Sequence, residues 1–242
     1  MRGRRGTGRG HFIRYALAAG MCTAVVTLMC GAASAANLFD GMESRADVHN
    51  DYRGARAHLF RYVPRYTSGL HGSSAWVMLH DVAYGSYGAL AQIGWARAGW
   101  WDDGVYYFYE YADAGGHDPG PQIIGAVPNP LNYGTEDLFT VQYVSGGHIE
   151  YRINGVTRHT SGYNWTPSQA QWYGEIIVAS DQTPGDTNHK VVFEDIMEYS
   201  SGAWYSLSPA GRMHNSTTYG TYSNTSSDFR IWDTRYSSEG GL

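Results

Sequence analysis

The sequence predicts an all-β protein of the sandwich or barrel type. Three features of the chain after residue 36 predict this class: helical periodicity is scarce, short runs rich in Val, Ile, Tyr, Trp and Phe recur, and clusters of Gly, Asn, Asp, Ser and Pro separate those runs. The spacing of the runs suits strands of packed antiparallel sheets and does not suit alternating βαβ units.

The first 35 residues are predicted to be a secretory signal peptide that is cleaved after Ala35. Five arginines precede or begin an apolar run from Tyr15 to Ala33, and small residues around Ser34 follow it. A membrane anchor is the competing interpretation, since the run approaches the length of a membrane span, although Ala, Gly and Thr dilute it. We expect a secreted, extracellular protein that is free of the membrane after cleavage.

Residues 36–242 are predicted to fold as a single domain with an acidic surface. Both cysteines, Cys22 and Cys30, lie in the signal segment, so the mature chain is expected to contain no disulfide. The five arginines of that segment leave with it while no acid does, which changes the formal net charge from −5 to −10. An acidic chain without clusters of Lys and Arg argues against nucleic acid as a partner.

The strands are predicted in a core of about 55–207, which a polar extension at 208–242 follows. The predicted strands are 55–63, 74–79, 88–97, 104–111, 138–144, 148–153, 156–160, 173–179, 190–199 and 203–207.

Turn signals order several of these strands. Ser145-Gly146-Gly147 and Asn154-Gly155 separate three consecutive runs, which predicts a three-stranded meander. Proline and glycine crowd 115–130, which indicates a long loop, and "FRIWD" near the C-terminus is a last candidate strand.

Gln92 is the first candidate site residue. On the predicted strand 88–97 it shares a face with Leu90, Gly94 and Ala96, because side chains alternate with a period of two. A buried amide needs hydrogen-bond partners. The sequence alone leaves open whether Gln92 fixes a loop or takes part in a reaction.

Trp76 and Glu175 are the next candidates. Trp76 lies in "WVMLHD", one predicted strand before Gln92, and a tryptophan at such a place is commonly part of the core. Glu175 stands in the aromatic and aliphatic run "WYGEIIVAS". A lone glutamate there implies a partner, a water-filled cleft or an exposed strand face.

These stretches together resemble the glutamic peptidases called eqolisins. The family pattern has a tryptophan in "AWVG", a glutamine in "LQxG", a "YxxWYEWYP" strand and a glutamate in "AExIxED". The chain offers "SAWVMLHD", "ALAQIGWARAGWWDDGVYYFYEY" and "YGEIIVAS" in the same order, over roughly residues 70–207. The matches place the tryptophan on Trp76, the catalytic glutamine on Gln92, the acid flanked by aromatics on Glu110 and the catalytic glutamate on Glu175.

The resemblance implies a concanavalin A-like antiparallel β-sandwich, or jelly roll, and an endopeptidase that acts at acidic pH. Glu175 would be the general base for the attacking water, and Gln92 would orient that water and donate a hydrogen bond to the oxyanion. Gln92 and Glu175 are then expected to face each other across a concave sheet. Trp76 and Glu110 are expected to line the cleft, with Trp95 and Tyr106 as further substrate-binding residues. The substrate would be a polypeptide, and we expect a monomer that needs no cofactor and no metal.

The chain departs from the family pattern in three respects. His80 stands where the pattern has an acid, the family's disulfide cysteines are absent, and the second acid of "AExIxED" falls on Ala179 or Ser180. A descendant of the scaffold that binds carbohydrate or protein without catalysis is therefore the alternative function.

Glycoside hydrolysis is the strongest rival reaction. The chain has 20 Tyr and 8 Trp, enough to supply stacking surfaces for sugars, with Trp95, Trp100, Trp101 and Tyr106 as the first candidates. "VFEDIMEY" at 192–199 resembles the E-x-D-x-x-E strand of laminarinase-type glycosidases with the aspartate out of register.

The two carboxylates of that strand do not suit the reaction. On a regular strand Glu194 and Glu198 share a face about 13 Å apart, which exceeds the spacing that glycosidases use.

Other chemistries have weaker signals. His80-Asp81 and many serines suggest a serine triad, but no G-x-S-x-G motif is present. The histidines are scattered without metal-binding spacing, and 180–189 lacks the spacing of a calcium loop.

Overall fold

The structure of the protein is a computed structural model. The structure describes residues 38–44, 52–62, 72–81, 88–129, 134–162, 164–177, 181–207, 212–214, 219–223 and 227–235. The predicted signal peptide and both cysteines lie outside the described residues. Within these ranges no helix is long and apolar enough to cross a membrane.

The described chain is built from short strands and one 3-10 turn at Gly99–Trp101. The strands are β1 (Leu38–Glu43), β2 (Tyr52–Phe60), β3 (Gly72–His80), β4 (Leu90–Ala98), β5 (Val105–Ala112), β6 (Gln122–Ala126), β7 (Glu136–Val144), β8 (His148–Ile153), β9 (Val156–Gly162), β10 (Gln169–Ile176), β11 (Val191–Ser200), β12 (Ala203–Ser206), β13 (Arg212–His214), β14 (Tyr219–Ser223) and β15 (Phe229–Asp233).

These strands form two antiparallel sheets. The first sheet has the order β13-β1-β10-β3-β4-β5-β6, and the second has the order β14-β15-β11-β2-β7-β8-β9 with β12 paired to β11. The predicted antiparallel β-sandwich is confirmed. The predicted meander is β7-β8-β9, and "FRIWD" is β15.

Four strands were not predicted. β1 precedes the predicted core, β6 lies inside the predicted loop 115–130, and β13 and β14 fall in the predicted polar extension. The strand predicted at 173–179 instead runs over Gln169–Ile176. The pairing of this strand with β3 determines which side chains of β10 stand level with Gln92.

The core lies between the sheets and is made by alternate residues of their strands. On β3 the inward residues include Val77 and Leu79, and on β4 they include Ile93 and Trp95, all with no exposed surface. Trp172 of β10 is equally buried. Alternation with a period of two places these side chains on one face and leaves every second residue for the opposite face.

The opposite face of the first sheet, turned away from the second sheet, is called here the outer face. It carries a second apolar cluster, separate from the main core, formed by Trp76, Met78, Leu90, Ala96, Phe108, Ala112 and Tyr173. Gln92 shares this face with Leu90 and Ala96, as predicted from the sequence. The outer face is therefore the surface on which the candidate site is built.

Candidate active site

One row of side chains crosses the outer face and contains four polar residues. The strand registers place Glu43 of β1 opposite Gln171 of β10, Gln171 opposite Met78 of β3, Met78 opposite Gln92 of β4, and Gln92 opposite Glu110 of β5. Directly opposed residues project from the same face of an antiparallel sheet. We call this set the polar row.

Gln92 and Glu110 form a buried pair within the polar row. The Gln92 Nε2 donates a hydrogen bond to Oε2 of Glu110 at 2.5 Å, and the two residues are 2% and 0% exposed. The sequence placed both residues at the site, and the structure brings them into contact. In the sheet, β5 and β10 lie on opposite sides of β4. This bond to β5 therefore turns the Gln92 amide away from β10.

Trp76 and Glu175 form the second polar contact of the outer face. The indole Nε1 of Trp76 donates a hydrogen bond to Oε2 of Glu175 at 3.2 Å. Glu175 stands opposite Ser74 of β3, and Ser74 stands opposite Ala96 of β4. Glu175 therefore belongs to a different row from Gln92.

Gln92 and Glu175 lie on the same face, but the registers do not bring them together. Their strands are two spacings apart with β3 between them, and Ala96, which is level with Glu175, is four residues from Gln92. These offsets separate the two Cα atoms by about 16 Å. Because the Gln92 amide also turns toward β5, one water molecule cannot bridge that amide and the Glu175 carboxylate in this arrangement.

Gln171 is the residue of β10 that is level with Gln92. It is two strand spacings from Gln92, so their Cα atoms are about 10 Å apart. The Gln171 Nε2 donates to Oε1 of Gln169 at 2.6 Å. The pattern "AExIxED" can also be aligned with β10 so that Ala170 is its first residue. Gln171 then stands at the position of the first acid, and Glu175 at that of the second. With Glu175 aligned to the first acid, Gln171 was not predicted as a site residue.

An aromatic pair lies between the polar row and Glu175. The rings of Tyr173 and Trp76 meet edge to face with centroids 5.1 Å apart. Glycines stand on either side: Gly41 is opposite Tyr173, and Gly94 is opposite Trp76. A Cβ on Gly94 would strike the carbonyl oxygen of Ala75 and approach the Trp76 Cα to 2.7 Å. The glycines leave room for the two rings to lie close to the sheet.

Glu43 is a second functional candidate that sequence analysis missed. The Tyr173 Oη donates to Oε2 of Glu43 at 3.3 Å. Burial raises the pKa of the Glu43 carboxyl, against hydrogen bonds from Tyr173 and Gln169 that lower it. Burial and the nearby Glu43 also hold the pKa of Tyr173 well above its usual value, so the hydroxyl remains a donor. β1 carried no recognised motif, so only the sheet pairing reveals this contact.

Of the predicted substrate-binding aromatics, the structure places Tyr106 on the outer face and Trp95 in the core. Trp95 has no exposed surface and belongs to the core cluster, so its assignment to the cleft is wrong. The reason is strand alternation, since Trp95 is an odd number of residues from Gln92. Tyr106 is half-buried beside Trp101, with centroids 6.1 Å apart, and its hydroxyl donates to Oδ1 of Asp102 at 2.8 Å.

The carboxylates proposed for a glycosidase do not share a face. Glu194 stands opposite His58 and Glu198 opposite Ala55, with a register shift between them. Asp195 in this irregular stretch has φ 49°. The expectation that Glu194 and Glu198 share a face is therefore wrong, because the bulge changes the alternation of β11.

The serine triad has no supporting geometry. The Ser168 Oγ donates to Oδ1 of Asp81 at 3.4 Å, so the acid meets the serine directly, whereas a triad needs a histidine between them. Burial lowers the pKa of His80, although the nearby Asp81 opposes this. In the described ranges no three His, Cys, Asp or Glu residues are grouped to hold a metal ion.

Comparison with solved structures relates the fold to glutamic peptidases. Scytalido-glutamic peptidase bound to a peptide-based transition state analog superposes with a TM-score of 0.59 at 14% identity, covering 82% of this chain and 98% of the peptidase. SCP-B, a member of the eqolisin family solved with the tripeptide Ala-Ile-His, gives a TM-score of 0.54 at 14% identity, covering 82% of this chain and 98% of SCP-B. At such low identity the similarity establishes the fold.

Sequence comparisons add no closer relative. No protein-family model and no curated protein matches the chain. A Bacillus licheniformis beta-glucanase superposes with a TM-score of 0.39 at 12% identity, covering 76% of this chain and 67% of the glucanase, which is too weak a likeness to bear on function.

Proposed function

We propose that the mature protein is a secreted, monomeric polypeptide-binding protein that holds an extended chain on the outer face without cleaving it. The observation that carries this proposal is the polar row, in which the residue level with Gln92 on β10 is Gln171 and not an acid.

The outer face has groups that suit a peptide main chain. Each glutamine side chain carries an amide oxygen that accepts hydrogen bonds and an amide nitrogen that donates them, as a peptide unit does. Gln92 and Gln171 are separated by Met78, and the Trp76–Tyr173 pair lies in the next row. A peptide crossing the row would meet polar groups beside an apolar surface. Peptide-like ligands in the solved glutamic peptidases support the same ligand class.

The absence of cleavage follows from the chemistry of the amide. A general base must accept a proton from the attacking water and must stand within hydrogen-bond reach of it. The neutral amide of Gln171 is not such a base. Glu175 is a carboxylate, but in this arrangement it is too far from Gln92 for one water to contact both.

A glutamic endopeptidase that acts at acidic pH is the second candidate. The bond between Trp76 Nε1 and Glu175 favours it, because it fixes a carboxylate on the outer face. In that function Glu175 is the base, Gln92 the oxyanion donor and Trp76, Glu110 and Tyr106 the cleft residues. It requires β4 and β10 to rearrange so that Gln92 and Glu175 approach each other.

One set of assays separates these functions. The mature chain is mixed with a denatured polypeptide from pH 2 to pH 7, binding is measured by tryptophan fluorescence, and the polypeptide is analysed by mass spectrometry. Glu175→Gln is the test variant, and Glu150→Gln on the second sheet is the matched control. We expect binding without cleavage by all three proteins.

Other outcomes contradict the proposal in distinct ways. Cleavage by the wild type and the control that is lost in Glu175→Gln would establish the endopeptidase. Equal cleavage by all three would exclude Glu175 as the base. Binding of a polysaccharide in place of a polypeptide would point to the carbohydrate-binding alternative.

A further inference from the structure

We propose that the second sheet carries an anion site, centred on Arg56, that binds the carboxylate of an acidic sugar chain. The site lies on the surface of that sheet turned away from the first sheet, which is called here the far face. It is separate from the outer face of the first sheet, so the inference goes beyond the proposed polypeptide binding and does not rest on it.

Strand alternation places Arg56 of β2 and Gln142 of β7 on the far face. Their chain neighbours Ala55, Ala57 and Val141 have no exposed surface and belong to the core between the sheets. Arg56 and Gln142 are half-buried, and alternation with a period of two directs their side chains away from that core. Both side chains can therefore meet a ligand from solution.

Gly54 allows three side chains of the far face to lie close together. It stands between Tyr199 of β11 and Gln142 of β7. A Cβ at Gly54 would approach the Tyr199 Cβ to 2.8 Å, an indole carbon of Trp204 to 2.9 Å and the Gln142 Cγ to 3.3 Å. The rings of Tyr199 and Trp204 meet edge to face with centroids 5.3 Å apart. Two aromatic rings and an amide therefore adjoin at this glycine.

Arg56 holds a half-buried positive charge beside these rings. Its guanidinium carbon lies 4.4 Å from the centre of the Trp204 ring, and its Nη2 donates to the sulfur of Met197 at 2.8 Å. Among the residues that the structure describes, no carboxylate forms an ion pair with Arg56. Burial lowers the pKa of the Arg56 guanidinium, and the charge of Asp195 opposes this. A charge removed from water without an ionic partner is unfavourable, so a bound anion would stabilise Arg56.

The polar atoms that Arg56 and Gln142 offer a ligand are hydrogen-bond donors. A guanidinium carries five N–H donors and no acceptor, and the contact with Met197 uses one of them. The Gln142 Oε1 accepts a hydrogen bond from Nη1 of Arg152 at 2.9 Å, which leaves the two N–H donors of Nε2 for a ligand. Such donors suit a carboxylate, whose oxygens only accept. They do not suit a peptide main chain, which brings an N–H for each C=O.

The surroundings of this donor pair favour a sugar over the acidic side chain of a peptide. Tyr199 and Trp204 are half-buried and offer ring surface on which the C–H face of a sugar can pack. The far face continues to β9 with exposed hydroxyl side chains, which are Thr157 and Thr160. Hydroxyl groups donate and accept, as those of a sugar do. A chain of uronic acid units would place one carboxylate at Arg56 and its rings along this surface.

Calorimetric titration at pH 7 measures the binding of tetragalacturonate to the wild type, Arg56→Gln and Arg158→Gln. Arg158 is an exposed arginine on β9 of the same sheet, so its exchange removes an equal charge. The methyl ester of tetragalacturonate keeps the sugars and removes their charge, and tetraglutamate keeps carboxylates and removes the sugars. Thermal unfolding establishes that each variant is folded. The comparison of the three ligands on the wild type tests the site without any variant.

We expect the wild type to bind tetragalacturonate saturably and to bind the ester and tetraglutamate at least about tenfold more weakly. Arg56→Gln should weaken the binding of tetragalacturonate at least about tenfold, because it removes the charged donors. Arg158→Gln should change this binding less than about twofold. In a ¹⁵N-labelled protein, the side-chain amide signals of Gln142 should shift on binding, and those of Gln92 should not.

Failure to bind tetragalacturonate, equal binding of the ester, or equal weakening by Arg158→Gln would overturn the inference. Equal binding of tetraglutamate would overturn it also and would identify an acidic peptide as the ligand. Shifts of Gln92 without shifts of Gln142 would place the sugar on the first sheet and contradict the assigned site. None of these results bears on polypeptide binding at the outer face, which a different ligand and different variants test.

Discussion

The indole Nε1 of Trp76 donates a hydrogen bond to the Glu175 carboxylate at 3.2 Å on the outer face of the first sheet. Both residues are buried, at 6% and 8% exposure. A buried carboxylate that loses a donor incurs an unfavourable desolvation free energy. Trp76→Phe keeps an aromatic ring and removes the donor, so it should lower the free energy of unfolding at pH 7 by about 2 kcal/mol.

Urea unfolding followed by circular dichroism measures this effect. Trp101→Phe is the matched control, because Trp101 is a half-buried tryptophan on the same face. We expect that control to change the free energy of unfolding by less than about 1 kcal/mol. Equal effects of both substitutions would show that the Trp76–Glu175 bond does not stabilise the fold.

The buried Gln92–Glu110 pair predicts that a second carboxylate at position 92 lowers the stability of the fold in a pH-dependent way. Gln92→Glu places two carboxylates directly opposite each other in a buried position, where like charges repel. The variant should be less stable than the wild type by about 3 kcal/mol at pH 7. The difference should shrink as the pH falls toward 4, since protonation of either acid removes the repulsion. A constant difference from pH 4 to pH 7 would contradict the pairing.

The close packing around Gly94 predicts that a side chain added at this position destabilises the fold. A Cβ at Gly94 meets backbone atoms of Ala75 and Trp76, whereas a Cβ at Gly125 on β6 meets nothing within 4 Å. Gly94→Ala should therefore lower the free energy of unfolding by about 3 kcal/mol, because strands β3 and β4 must separate. Gly125→Ala should leave it nearly unchanged. Thermal unfolding of the two variants side by side tests whether the close approach at Gly94 is required.

The raised pKa of Glu43 predicts that the contribution of this residue to stability decreases as the pH rises above the ordinary carboxyl range. Burial raises the pKa of Glu43 from its usual 4.5, so the folded chain binds this proton more tightly than the unfolded chain. The contribution of this group to the free energy of unfolding is therefore complete below pH 4.5 and is lost as the pH rises through the folded-state pKa. Glu43→Gln should remove this dependence and flatten the profile between pH 4 and pH 7.

Asp103→Asn is the control for that profile, since Asp103 is exposed at the β4–β5 turn and asparagine also tolerates its left-handed backbone. Urea unfolding at several pH values compares the wild type with both variants. A profile of Glu43→Gln that is as steep as that of the wild type would show that the pKa of Glu43 is not raised in the folded protein.

The fold class was predictable because alternation of apolar and polar residues is a local signal. The placement of Gln92 with Leu90 and Ala96 on one face required only the period of two. β1 and the edge strand β6 were missed because they lie in weakly apolar or glycine-rich stretches, and they form through pairing with other strands, β1 with β10 and β13 and β6 with β5. The bulge near Asp195 was also invisible, since one irregular residue reverses the alternation after it.

The candidate site was predictable only in part, because a motif match does not fix strand register. Trp76, Gln92, Glu110 and Glu175 lie on the outer face, in two different rows. Which residue stands level with Gln92 depends on how β10 pairs with β3, and the pattern "AExIxED" fits β10 in two frames. Because Gln171 pairs with Met78 and Met78 pairs with Gln92, Gln171 is the residue of β10 that is level with Gln92.

We expect the side-chain amides of Gln92 and Gln171 to contact a bound polypeptide. The chain has only six glutamines, so their side-chain amide signals can be assigned by single substitution in a ¹⁵N-labelled protein. On addition of an unfolded polypeptide, the signals of Gln92 and Gln171 should shift in a saturable manner, while those of Gln142 on the second sheet and of Gln182 should not. Shifts confined to Gln142 or Gln182, or no shift at all, would contradict the account.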